Sequence, residues 1–241
     1  MNTTSLVGKP LNRNASGGTA VIDRGLMRPL GAAFLLVVLT SLVSGLATDR
    51  ATGAVDVPLT TVFGHLADHA GTLHLAVLFG LLNAVGILAL AGLLHGVLAP
   101  FGRVVALIGV LCWAGEALVY ATNQLTAGAL LSLASTSQSS DGAASLGRTL
   151  LDVHRAGGTM LMFFYCAGGL AFYSLFLTSR LVPRWLALYG LLAVTVGLAG
   201  GVVELLGHPL GLLPYIAIGP FEILTGLYLL IRRGAAGRAL D

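Results

Sequence analysis

Glu116, Glu204 and Glu222 each stand inside a run of residues apolar enough to cross a bilayer. An ionised side chain at the bilayer centre costs at least about 2.5 to 3.5 kcal/mol, so such residues face a bundle interior, a partner or a watery cavity. A carboxyl held neutral by desolvation can donate a proton to an alkene, epoxide or carbonyl, while a second carboxylate or a histidine accepts one. Glu116 and Glu222 are therefore expected to be an acid/base pair, with His154 assisting.

Depth and periodicity arrange other side chains around that pair. Glu116 follows Arg103 by thirteen positions, about 20 Å at helical rise, and Glu222 precedes Arg232 by ten, about 15 Å. Both fall deep in their spans, whereas Glu204, His154 and His74 fall near the outer end. Glu116, Tyr120, Asn123 and Gln124 follow the i, i+4, i+7, i+8 pattern of one helix face. His154, Gly158, Tyr165 and Gly169 share a face of the next span, as a polar entrance over a small-residue floor. Arg155, beside His154, is placed to neutralise a carboxylate. The expected substrate-binding set is Tyr120, Asn123, Tyr165, Tyr173, Glu204, His74 and Arg155. Phe164 and Phe172 are added as aromatic lining, because aromatic faces stabilise developing positive charge. Pro220 removes a backbone donor just before Glu222 and is expected to open a niche there.

The elements that must position these groups are helices in lipid. The 241 residues are 56% hydrophobic and 10% charged, with a mean hydropathy of +0.90. Soluble domains carry about a quarter charged residues. A net charge of +3, scattered along the chain, gives no nucleic-acid surface. Apolar runs near 29–48, 72–98, 103–127, 156–178, 185–206 and 211–231 each match the roughly 20 residues a crossing requires. The fold class predicted is an all-α polytopic membrane protein, a bundle of six transmembrane helices. Lys9, Arg13, Arg24, Arg28, Arg103, Arg180, Arg184, Arg232, Arg233 and Arg238 then fall on one side, and only Arg50, Arg148 and Arg155 on the other. The positive-inside rule makes both termini cytoplasmic. Residues 1–25 and 235–241 are expected to be cytoplasmic tails around a transmembrane domain over 26–234.

Two outer connections are long. Residues 48–71 contain a candidate short helix at 59–70, and the Ser-rich 132–146 reads as a flexible tip. Gly45 and Ala47 after an apolar run also fit a signal-cleavage site, which would leave five helices. The first span is longer than a signal core, which favours its retention. Gly92 with Gly96 and Gly197 with Gly201 are GxxxG pairs, read as close packing within the bundle first and a homodimer seam second. Asn83 and Gln124 read as interhelical hydrogen-bonding residues. Cys112 and Cys166 have no partner spacing and read as packing residues.

Several chemistries are excluded. The single lysine, Lys9, leaves no intramembrane Schiff base, and there is no GxxxxGK[ST] loop and no HExxH. The HLADH segment places His65 and His69 at i, i+4, a weak metal spacing that needs a helical loop. No metal and no cofactor is expected.

LLDVHRAGGTMLMFFYCAGG, AFYSLFLTSRLVPRWLALYGLL and PFEILTGLYLLIRRG, with WAGEALVY upstream, resemble a family of bacterial integral membrane proteins known as domain of unknown function 4386. The resemblance spans Met27 to Gly234. It implies residence in a bacterial cytoplasmic membrane and recurrent polar positions at Glu116, His154 and Glu222, with no activity attached. The expected function is an intramembrane acid/base enzyme of isomerase or cyclase type. Its partners would be the lipid bilayer and a lipophilic small molecule such as an isoprenoid or lipid. A proton- or cation-coupled carrier or binding protein, and a structural or regulatory membrane subunit, are the alternatives.

Overall fold

A backbone surrounded by hydrocarbon has no water to satisfy its polar groups, so a chain this apolar satisfies them within helices. The computed structural model describes residues 24–52, 64–66, 68–136, 141–208 and 210–231, and contains no strand among them. The helices are α1 (Met27–Thr52), α2 (Ala70–Thr136), α3 (Asp141–Ser179), α4 (Arg184–Leu205) and α5 (Ile218–Ile231), with 3-10 turns at Arg24–Leu26 and Leu213–Tyr215. Among the described residues five stretches are long and apolar enough to cross a membrane, making this a multi-pass membrane protein.

At 67 residues, α2 would be about 100 Å long if straight, roughly three bilayer cores. It is two helices joined at a kink, with Pro100 inside and non-helical backbone at Gly102. The arms fold back antiparallel: Gly80 of the first meets Gln124 of the second. Leu73 and Ala76 likewise pack with Ala127, Leu130 and Ala134. The bend packs closely on α3, since a Cβ on Gly102 would lie 2.8 Å from Leu175 Cδ2.

Amphipathicity sets the packing. On α1 the buried residues Leu30, Phe34, Val37, Thr40, Ser44, Ala47 and Ala51 recur every three or four positions. Leu36, Leu39, Leu42 and Leu46 point outward. Such a leucine-rich outer face is what lipid contact calls for. α2 packs on α1 and α3, α3 on α4, and α1 and α4 on α5, so the helices surround a common interior. At the α1–α5 seam the backbones themselves approach, since a Cβ on Gly31 would meet Gly226 O at 2.7 Å and Leu230 N at 2.8 Å.

Several expectations are corrected. α1 runs to Thr52 and α2 to Thr136, so helix extends into both of the long connections expected over 48–71 and 132–146. The extensions are held by burial of Ala51 and Ala134 in one small apolar cluster with Leu66. Residues 64–66 are helical and His69 N donates to His65 O at 2.9 Å, within the candidate short helix. Residues 53–63 and 67 of that loop, the tip at 137–140, residues 1–23 of the expected tail over 1–25 and the whole of that over 235–241 lie outside the described residues. The last helix begins only at Ile218, so Pro220 sits in its first turn, where no intrahelical donor is lost. It starts the helix rather than weakening it. Gly92 and Gly96 have no atom within 4 Å of a built Cβ, so this GxxxG pair forms no seam with the described residues. Gly197 does pack closely, against Cys166 and Tyr215. Both cysteines are free.

Candidate functional site

The second arm of α2 brings Glu116 inward, and α5 brings Glu222 to meet it. Both carboxyls line one cavity of about 270 Å³, walled also by Ser41 of α1, Asn83 of the first α2 arm and Tyr165 of α3. Glu116 is 5% exposed and Glu222 9%. Among the described residues no Lys or Arg lines this cavity. A second cavity of about 260 Å³, called the outer cavity for its place at the bundle end where α1 and the second arm of α2 finish, adjoins it and is lined by Thr48, Asn123, His154 and Arg155. Gly45, Tyr120, Gly158 and Leu161 belong to both walls, so the two spaces form one path.

The two glutamates are held differently. Glu222 Oε1 accepts a hydrogen bond of 3.0 Å from the Tyr165 hydroxyl, which lies 2.9 Å from the Tyr173 hydroxyl. Trp113 fixes Tyr165 by donating from Nε1 to its carbonyl at 3.1 Å and by stacking on its ring at 5.9 Å. Glu116 has no such support. Its Oε2 is buried with no hydrogen-bond partner among the described residues. A buried polar atom left unpaired is uncommon and needs an explanation, an unfilled ligand position being one. A carboxyl pair buried without a cation either carries protons or takes a positively charged group.

The outer cavity is built from hydrogen bonds between α2 and α3. Asn123 Nδ2 donates to the His154 carbonyl at 3.3 Å, and His154 Nδ1 lies 3.0 Å from Thr126 Oγ1. Gly157 lets Asn123 approach, because a Cβ there would collide with its amide. Arg155 lines this cavity, and its ion pair is with Asp152 of its own helix at 3.9 Å.

The structure thus brings together Glu116, Glu222, Tyr120, Tyr165, Asn123, His154 and Arg155 along one path. It places the remaining expected residues elsewhere. Tyr173 is fully buried behind Tyr165, against Phe221 at 4.6 Å, and lines neither cavity. Glu204 Oε2 accepts from Thr159 at 3.3 Å and Tyr215 at 3.2 Å, away from the pair. Its place late in α4 puts it beside the Leu213–Tyr215 turn. His74 is exposed and outside both linings. Phe164 covers Gly115 and Phe172 covers Gly109, filling helix contacts left by missing side chains. Gly169 faces Val194 of α4 rather than forming a floor. Gln124 donates to Tyr120 O within its own helix, while Asn83 does bridge helices, accepting from Thr40 at 2.9 Å.

Sequence reasoning missed the wall supplied by α1. Ser41, Ser44, Gly45, Thr48 and Asp49 all line the path. Ser41, Ser44 and Thr48 stand at i, i+3, i+7, a weakly polar stripe that reads as one helix face. That stripe was the available signal.

The fold and the site define a multi-pass α-helical membrane protein with two adjoining cavities that reach two buried carboxyls. The family model for a domain of unknown function, DUF4386, matches residues 30–232. The chain belongs to that family. No curated protein and no solved structure matches it significantly.

Proposed function

We propose that this protein is an intramembrane acid/base enzyme of isomerase or cyclase type, working on a lipophilic small molecule that enters through the outer cavity. The observation that carries the reading is the unpartnered Glu116 Oε2 in the same cavity wall as Glu222. Glu116 is the proton donor. Glu222, which receives the Tyr165 hydrogen bond, is the carboxylate that accepts a proton. Adding a proton at one carbon and removing one at another rearranges a substrate with no net change in atoms or electrons, so no co-reactant is required. Tyr120 and Tyr165 face the reacting region, and His154 with Asn123 shapes the approach.

The reading places the chain in a bacterial cytoplasmic membrane with six crossings, each arm of α2 counting as one, and with both termini cytoplasmic. Arg28, Arg103, Arg180 and Arg184 then share the cytoplasmic end, in keeping with the positive-inside rule.

Mass spectrometry of small molecules copurifying with the full chain tests this reading. A lipophilic compound bound to the wild type, lost from Glu116→Gln and Glu222→Gln, and converted only by the wild type is the expected result. Unchanged turnover of that compound by both variants overturns it. The continuity of the two cavities also suits a proton-coupled carrier. Sealed vesicles separate the two, since a carrier acidifies or alkalinises the lumen with the ligand while an enzyme changes the ligand's structure.

A further inference from the structure

A cavity of about 550 Å³, separate from the carboxyl-lined one, lies at the opposite end of the bundle, where α3 turns into α4. Arg180 and Arg184 line it together with Phe176, Val182 and Tyr228. No acidic residue lines it, and neither arginine has an ion pair among the described residues. Two guanidinium groups thus share one cavity with an apolar wall at this end of the bundle.

The backbone gives a second, independent reason. Arg180 closes α3, its N–H bonded to Phe176 O at 3.1 Å, in a left-handed conformation with φ 52°. Glycine is the usual residue there, because a side chain strains that conformation. A non-glycine outlier at such a position points to a role for its side chain. Four residues on, Arg184 opens α4 beyond Pro183, and no side chain caps that helix. Uncapped first-turn N–H groups at a long helix add positive potential at this end.

We infer that this cavity binds a phosphate group, which Arg180 and Arg184 hold while Phe176, Val182 and Tyr228 take up the first carbons of an attached chain. An anionic phospholipid of the surrounding leaflet supplies both parts. Planar, forked guanidinium donors suit phosphate oxygens, and basic pockets between membrane helices suit lipid headgroups.

The test uses the purified full chain in neutral detergent, titrated with dihexanoyl phosphatidylglycerol, dihexanoyl phosphatidylcholine and inorganic phosphate, with binding read by native mass spectrometry. Wild type should bind the anionic lipid more tightly than the zwitterionic one. The Arg180→Gln/Arg184→Gln double variant should lose affinity by about tenfold or more, a loss typical of removed charge-assisted hydrogen bonds. Arg103→Gln, whose arginine does not line the cavity, should bind as wild type does. Inorganic phosphate that displaces the lipid at equal concentration identifies the phosphate alone as the ligand, and failure to displace it identifies the lipid. Both results support a phosphate site. Arg180→Gly guards against misfolding, because it relaxes the backbone while removing one donor, and should keep the melting temperature yet weaken binding. Equal binding of phosphatidylglycerol to wild type, the double variant and Arg180→Gly overturns the inference.

Discussion

Tyr165 of α3 donates its hydroxyl to Glu222 of α5 at 3.0 Å, joining two helices through a buried polar contact. The same hydroxyl also contacts Tyr173, so it is the hub of a three-residue chain. Removing the hub strands two neighbours, whereas removing the end strands one. Tyr165→Phe is therefore expected to cost about 1 kcal/mol of stability and Tyr173→Phe roughly half that, within the range for polar contacts in membrane bundles. Thermal unfolding of the purified variants measures the order. A Tyr173→Phe loss equal to or larger than that of Tyr165→Phe contradicts the chain of contacts.

Glu116 should behave in the opposite way. Its unpartnered Oε2 makes it a stability cost in the empty protein, since a buried polar atom without a hydrogen bond carries its full desolvation penalty. Glu116→Leu is expected to raise the melting temperature while abolishing occupancy by the copurifying ligand. That combination is the trade-off of a site kept for function. A lowered melting temperature would make Glu116 a structural residue.

The apolar runs disclosed the helices because hydrophobicity and length are one-dimensional properties, and α4 (Arg184–Leu205) coincides with its expected 185–206 to within a residue. Glu116 and Glu222 were legible for the same reason, a carboxyl being conspicuous in an apolar run. What sequence could not tell was which face each helix turns inward. Tyr173 and Tyr165 are eight residues apart on one helix and both buried, yet only Tyr165 reaches the cavity, because Phe221 and Trp113 close over Tyr173. The α1 wall escaped because serine, threonine and glycine are too common in membrane helices to stand out. Pro220 misled because its effect depends on distance from the helix start, which only the preceding 3-10 turn reveals.

Asn123 and Gly157 form a pair in which one residue exists to admit the other. A Cβ at 157 would collide with the Asn123 amide and push it off the His154 carbonyl. Gly157→Ala should destabilise by about 1 to 3 kcal/mol, the usual cost of overpacking. Asn123→Ala removes the obstruction, so the double variant should recover part of that loss. Additive losses in a double-mutant cycle would show that the two residues do not interact.

Two glycines on α1 separate the needs of the fold from those of the site. Gly31 faces the backbone of α5, and a Cβ there would lie 2.7 Å from Gly226 O, an atom that cannot rotate away. Gly31→Ala must push α1 and α5 apart, and is expected to lower the melting temperature markedly. Gly45, fourteen residues on, has nothing within 4 Å of a built Cβ and lines both parts of the internal path. Gly45→Leu should therefore fold with little change in melting temperature and place its side chain across the junction of the two cavities. Ligand recovered with the protein should fall sharply for Gly45→Leu, although neither carboxyl is altered. Full ligand occupancy in a folded Gly45→Leu protein would mean that the path through the outer cavity is not the route to Glu116 and Glu222.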